Sequence, residues 1–242
     1  MKKWFLILSA LVVLLLAYGI WAFQMEFSVE PELELGADTP ENLIREIYNP
    51  VFDDTVTFLK FSAETGGAYT LLEIDLAPGG GNATHLHNRF SETFIPIEGD
   101  LGVEHKGEDM VLQPGEELIV APEATHRFYN PGEGRILFQV KIEPGSAGFE
   151  KALYLLYGLT RDGYAREDGM LEDFNHTALF LKLSDTRVPG LLNLLNPFFK
   201  RAANKMESSG EAEELLQKYY YSHTKSPVDT LSKKVEPQKI EE

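Results

Sequence analysis

The hydrophobic pattern divides the chain into unlike stretches. Trp4 to Phe23 (WFLILSALVVLLLAYGIWAF) is an apolar run without a charge. At ~1.5 Å per residue it predicts a helix of about 30 Å, roughly the hydrocarbon thickness of a bilayer. Residues 25–50 then predict a linker with a short helix, opened by the cap and proline of Thr39-Pro40-Glu41. From about residue 52 the period shortens. TVTFLKFSA, AYTLLEIDLA, ETFIPIEG, LGVEHKG, MVLQPG, ELIVAP, HRFYN and RILFQVKIEP are short β-branched or aromatic runs, most closed by Gly, Pro or Asn. They predict a closed or sandwiched all-β unit over residues 51–144.

After Pro144 the period lengthens again. Phe149, Leu153, Leu156 and Leu159 fall near helical spacing in AGFEKALYLLYGLTRDG, with Gly163 as the stop. TALFLKLSD, GLLNLLNPFFKRAANK and GEAEELLQKYYYSH complete a helical extension over residues 145–222. The expectation is that these helices cover one opening or edge of the β unit. For Leu191 to Lys205 two readings stand. It packs on the β unit, or it lies on a membrane surface, because an apolar run joins Lys200, Arg201 and Lys205. Packing is preferred, since Pro197 interrupts the run. The Tyr219-Tyr220-Tyr221 run is read as anchoring the last helix. Residues 223–242 are polar and aperiodic, which predicts a disordered tail.

The apolar run at the N-terminus has two explanations. A cleavable signal peptide has a shorter core, about 7–15 residues, ending at a small-x-small site. GIWAF offers no clean A-x-A site, and Trp4, Tyr18 and Trp21 lie near the two ends, where aromatic belts form. An uncleaved transmembrane anchor over residues 1–24 is therefore expected, with secretion after cleavage as the alternative. Lys2 and Lys3 precede the run and Glu26 and Glu30 follow it, which puts the N-terminus in the cytoplasm and the rest outside.

Composition narrows the chemistry. The formal net charge of -16 argues against nonspecific nucleic-acid binding. The chain has no cysteine, which removes disulfides, thiolate metal sites and thiol catalysis. Candidate chemistry gathers around HLHNRFSET. His85 and His87 are two apart, so on a strand both point to one face. Asn88 to Ser91 can turn the chain, and Glu92 can begin the return strand with Phe94 and Pro96 on the same face. His126 lies in a later strand. Three imidazoles and a carboxylate suit Fe, Mn, Ni, Cu or Zn. His105, among charges, is read as a solvated strand residue. His176 and His223 lie away from the cluster.

GGGNATHLHNRFSETFIPIEG resembles the first motif of the cupin superfamily, with Gly79, His85, His87, Glu92 and Gly99 on its positions. GEELIVAPEATHRFYN resembles the second motif through Gly115, His126 and Asn130. Ala121 stands where that motif has proline and Glu123 where it has glycine, so the turn is expected to be rebuilt. The resemblance implies a mainly β fold, a cupin-type jelly-roll β-barrel. Around it the chain adds an N-terminal transmembrane helix and a C-terminal α-helical extension. The resemblance also implies one divalent transition metal held by His85, His87, Glu92 and His126. Phe94 and Phe128 then line a substrate pocket or simply fill the barrel. The chain is also similar to small bacterial single-cupin proteins with a helical extension, some of them labelled quercetin-dioxygenase-like. A metal-dependent dioxygenase of a small organic substrate is the leading expectation, although no separate general base is evident. A non-catalytic ligand-binding or sensing module is the alternative. A homodimer is expected by analogy with other cupins.

Overall fold

The computed structural model describes residues 2–26, 39–40 and 42–224. An apolar helix, α1 (Lys2–Glu26), comes first. Among the described residues no helix is long and apolar enough to cross a membrane.

The short helix expected before residue 50 is replaced, among the described residues, by strand β1 (Glu46–Asn49). Ile47 and Asn49 are buried while Glu46 and Tyr48 are exposed, an alternation of period two that overrides the local capping signal. β1 pairs with β2 (Asp54–Lys60), so the sheet begins before the expected boundary at residue 51. The expected strands all form: β3 (Thr70–Leu76), β5 (Ser91–Glu98), β6 (Leu101–His105), β7 (Glu108–Leu112), β8 (Leu118–Val120), β9 (His126–Tyr129) and β10 (Ile136–Glu143). Between β3 and β5 lies the two-residue β4 (Leu86–His87).

A six-stranded antiparallel sheet runs in the order β1-β2-β3-β10-β5-β8, and a three-stranded one runs β7-β6-β9. In β3 and β10 every second residue is buried, as expected of strands with one face on a core. Phe58, Leu72, Phe94 and Phe138 of the larger sheet share that core with Leu101, Val103 and Leu112 of the smaller. The result is a mainly β, cupin-like barrel.

The helical extension is built into the barrel as well as laid over it. Helix α2 (Ala147–Arg161) is capped by Ser146, whose Oγ accepts a bond from the Phe149 N–H at 3.1 Å. One side of α2 sends Phe149, Tyr154 and Tyr157 into the barrel core. Its other side sends Leu155 and Leu159 into a second core with Leu171, Leu179, Met206 and Tyr219. Helix α3 (Phe174–Leu183) leads into strand β11 (Thr186–Arg187), which pairs with β4. No strand was expected there. A 3-10 helix (Gly190–Leu195) follows, then α4 (Asn196–Ser209) and α5 (Glu211–Leu216), which ends in a π-helical turn (Gln217–Tyr221).

Pro197 does not interrupt α4. It sits in its first turn, where no N–H is needed. Leu191, Leu192, Leu194 and Leu195 are exposed, so the expected packing of this segment on the barrel is corrected for the 3-10 helix. Tyr219 and Tyr220 are buried, as the anchoring reading requires. The segment expected to be a disordered tail begins with paired residues: the Ile44 N–H donates to the His223 carbonyl at 2.9 Å, and Thr224 bridges Leu43. Residues 225–242 of that segment, and residues 27–38 and 41 of the linker, lie outside the described residues.

Candidate metal centre

His85, His87, Glu92 and His126 come together. One ligand atom from each lies within 4.8 Å of all the others, and among the described residues this is the one such group. Backbone pairing builds it. The His85 N–H donates to the His126 carbonyl at 2.9 Å, and the His126 N–H donates back to His85 at 2.8 Å. His87 follows two residues on, in β4, and Glu92 is the second residue of β5.

Each imidazole is held by its other nitrogen. Nδ1–H of His85 donates to the Ala83 carbonyl at 2.8 Å, and Nδ1–H of His126 donates to the Ala124 carbonyl at 3.0 Å. Both partners are two residues upstream, so these rings are oriented locally. His87 differs: its Nδ1–H donates to the Ser184 carbonyl at 3.1 Å, from the helical extension. A carbonyl oxygen can only accept, so each Nδ1 carries the proton and each Nε2 keeps a lone pair.

Those lone pairs converge. Nε2 of His85 and Nε2 of His87 are 3.1 Å apart, and Nε2 of His126 is 2.6 Å from Oε2 of Glu92. Oε2 of Glu92 is also 3.7 Å from Nε2 of His87. Opposed lone pairs beside a carboxylate repel unless a cation or proton lies between them, so the donor set fits a bound transition metal.

The electrostatics agree. Burial pulls the His85 imidazole down to about 3, helped by the neighbouring histidines. Burial likewise lowers His87, against the pull of Glu92. Burial alone would raise Glu92, but His87, the bond from His126 and the other imidazoles outweigh it and hold the carboxylate at about 2. His126 loses charge stability to burial yet ends above its ordinary value through its bond to Glu92. His85 and His87 are therefore held neutral and Glu92 ionised, the forms that bind metal, while Glu92 draws a proton toward His126 that a bound metal would have to displace. His85 is the partly exposed member, so the open side of the centre lies beside it.

The two candidate pocket residues lie deeper. Phe94 is fully buried, with its ring 5.9 Å from that of His126, and Phe128 is half-buried, 6.2 Å from Phe94. Glu98 is exposed at the end of β5 beside the Gly99 turn. His105 is less solvated than expected: it pairs in register with His126 and is half-buried, but it is not in the ligand group. The second-motif turn is also less altered than expected. Glu123 takes the left-handed conformation (φ 66) that a glycine would adopt, and its N–H donates to the His87 carbonyl at 2.6 Å. Asn130 is a clamp: its Nδ2 donates to the carbonyls of Leu76 and Gly134, and its Oδ1 accepts from Gly132.

Several residues around the site carried no sequence signal. The Phe90 ring stacks on His87 at 4.4 Å, and Phe149 of α2 meets it edge-on at 5.9 Å. The Asp185 carboxylate accepts bonds from the Asn88 and Arg89 N–H groups, both at 2.8 Å, and from Nδ2 of Asn88 at 3.0 Å. Its Oδ1 also lies 3.2 Å from Nε of Arg89. These contacts pin the loop between His87 and Glu92.

Residues 72–140 match the Cupin_2 family, so this part of the chain is a cupin domain. Solved structures similar to it include an RmlC-like cupin from Shewanella frigidimarina, 21% identical, with 46% of this chain and 93% of that chain covered at a TM-score of 0.38. A sugar phosphate isomerase from a cupin superfamily of Silicibacter pomeroyi is 18% identical over 44% of this chain and 74% of that chain, TM-score 0.36. KdgF from Halomonas sp. is 17% identical over 39% and 81%, TM-score 0.36. No curated protein matches the chain.

Proposed function

We propose that this cupin binds one divalent transition metal through His85, His87, Glu92 and His126 and acts on a small organic substrate as a metal-dependent dioxygenase. The observation that carries the metal is the set of three Nδ1–H bonds to the Ala83, Ser184 and Ala124 carbonyls, which turns three Nε2 lone pairs toward one carboxylate. The metal supplies Lewis acidity for an oxygen-bearing substrate and for dioxygen. The chain's own residues hold that position, keep Glu92 ionised and exclude bulk water on the Phe90 and Phe149 side. Phe94 and Phe128, beside His126, favour an apolar or aromatic substrate.

The exposed apolar side chains of α1, such as Leu6, Leu14 and Leu16, support a membrane anchor with Lys2 and Lys3 on the cytoplasmic side. Fractionation and the mature N-terminal residue test it; a terminus near residue 24 favours secretion.

The test of the metal is its content in the whole purified chain. About one equivalent is expected in the wild type and in His105→Ala, and none in His87→Ala. Equal content in the two variants would reject the ligand assignment. Oxygen uptake against flavonoids, thiols and diketones then tests the reaction. Uptake lost in His126→Ala is the expected result, whereas ligand binding without uptake would favour the sensing module.

A further inference from the structure

We infer that the 3-10 helix Gly190–Leu195 and the first turn of α4 form a second membrane contact, lying on an anionic lipid leaflet beside the end of α1. This rests on the anchor reading of α1. Leu191, Leu192 and Leu194 are 86%, 54% and 57% exposed, and Leu195 and Phe198 are exposed as well. Four leucines in six residues project from a short 3-10 helix with none of its residues buried. An apolar surface of this kind marks a docking site.

Its position identifies the partner. The patch meets α1 near the C-terminal end, where an anchor helix would leave the hydrocarbon. Trp21 and Phe198 have ring centroids 4.8 Å apart, Tyr18 stacks on Phe198 at 6.2 Å, and the Tyr18 hydroxyl donates to the Leu194 carbonyl. Tyr and Trp are the residues that settle at the lipid–water boundary. The patch is therefore continuous with the anchor at headgroup depth.

Charge points the same way. The chain is strongly acidic overall, yet Lys200, Arg201 and Lys205 follow the patch on α4. Arg201 and Lys205 are exposed. Apolar side chains flanked by cations are the composition of an interfacial helix on anionic lipid. A second copy of the chain would oppose the same cations to each other and fits less well.

The contact would matter for the metal centre because β11, paired with β4, ends only three residues before Gly190. The segment that touches lipid is thus the direct continuation of the one that touches His87.

The cysteine-free chain makes the test direct. Leu192→Cys, Leu11→Cys and the exposed barrel position Ile119→Cys are each labelled with an environment-sensitive fluorophore in the full chain. Each is reconstituted into phosphatidylcholine vesicles with or without phosphatidylglycerol and with spin-labelled quencher lipids. Expected are a blue shift and quenching at Leu192 and Leu11 and neither at Ile119. Arg201→Glu with Lys205→Glu should weaken the Leu192 quenching on phosphatidylglycerol vesicles only. Quenching at Leu11 with Leu192 behaving like Ile119 overturns this inference and keeps the anchor. Quenching at Leu192 alone removes the anchor and so overturns the inference of a second contact beside it, and silence at both removes both. A blue shift at Leu192 without quenching, accompanied by cross-links between copies, assigns the patch to a second chain and overturns the inference.

Discussion

The imidazole of His87 is oriented by the carbonyl of Ser184, 3.1 Å from its Nδ1, across 97 residues of sequence. His85 and His126 need only their own strands for this, so His87 is the member of the group through which the helical extension reaches the candidate metal centre. Asp185, in the left-handed conformation (φ 52), fixes the same junction through Asn88 and Arg89. Asp185→Asn keeps a residue that tolerates that conformation but turns an amide NH2 toward N–H donors. It should weaken metal affinity by about 10- to 100-fold, as loss of partners to metal ligands generally does. Competition with a chromophoric chelator measures this, and an unchanged constant would show that the Ser184 contact alone suffices.

Gly148 offers a second way to disturb that junction from outside the centre. A Cβ there would lie 2.6 Å from the carbonyl oxygen of Leu183, the residue before Ser184. Helix propensity alone favours alanine over glycine by about 1 kcal/mol. The backbone clash is the larger effect, because neither α2 nor the end of α3 can yield without moving the Ser184 carbonyl. Gly148→Ala should therefore lose about 1–3 kcal/mol of stability and bind metal more weakly. Denaturant unfolding and metal titration read the two effects, and a gain in stability would show that α3 shifts freely.

The candidate group was legible in the sequence because His85, His87 and Glu92 fall on the first cupin motif and His126 on the second. Strand alternation alone puts His85 and His87 on one face, and the resemblance adds Glu92 and His126 to them. Gly79 and Gly99 were legible through the same motif, and both take a positive φ, 72° and 79°, at turns. β11 was not legible. Two residues give no periodicity, and its pairing with β4 is set by the core beneath α2 and α3. Phe90 and Phe149 read as ordinary apolar residues, and only the fold sets their rings against His87. The expected helix before residue 50 failed because burial of Ile47 against the sheet outweighs a local cap.

Metal removal should be visible in stability. A ligand that binds only the folded chain stabilises it by about 2.7 kcal/mol when its free concentration is a hundred times Kd. For a protein of this size each kcal/mol moves the midpoint by about 2–4 °C. Chelation of the wild type should lower Tm and restoring metal should raise it, whereas His87→Ala should respond to neither. Scanning calorimetry in matched buffers provides the comparison, and an equal response of the variant would place the stabilising ion elsewhere.

The joint between α2 and the barrel predicts a pH dependence of its own. Asp54 of β2 is buried and accepts a bond from the Tyr157 hydroxyl. Burial, partly offset by that bond, raises its carboxyl from 3.8 to about 6. Between those values the folded state holds the proton more tightly than the unfolded chain. Stability therefore falls as pH rises through the window, and the full penalty is present above about pH 6. At about 1.4 kcal/mol per pH unit it is on the order of 3 kcal/mol. Asp54→Asn keeps an oxygen for Tyr157 and cannot ionise. It should be more stable than the wild type at pH 7.5, with the advantage fading toward pH 4. Urea midpoints across that range decide the matter, and an advantage that grew on acidification would mean that the native state prefers the charged carboxylate.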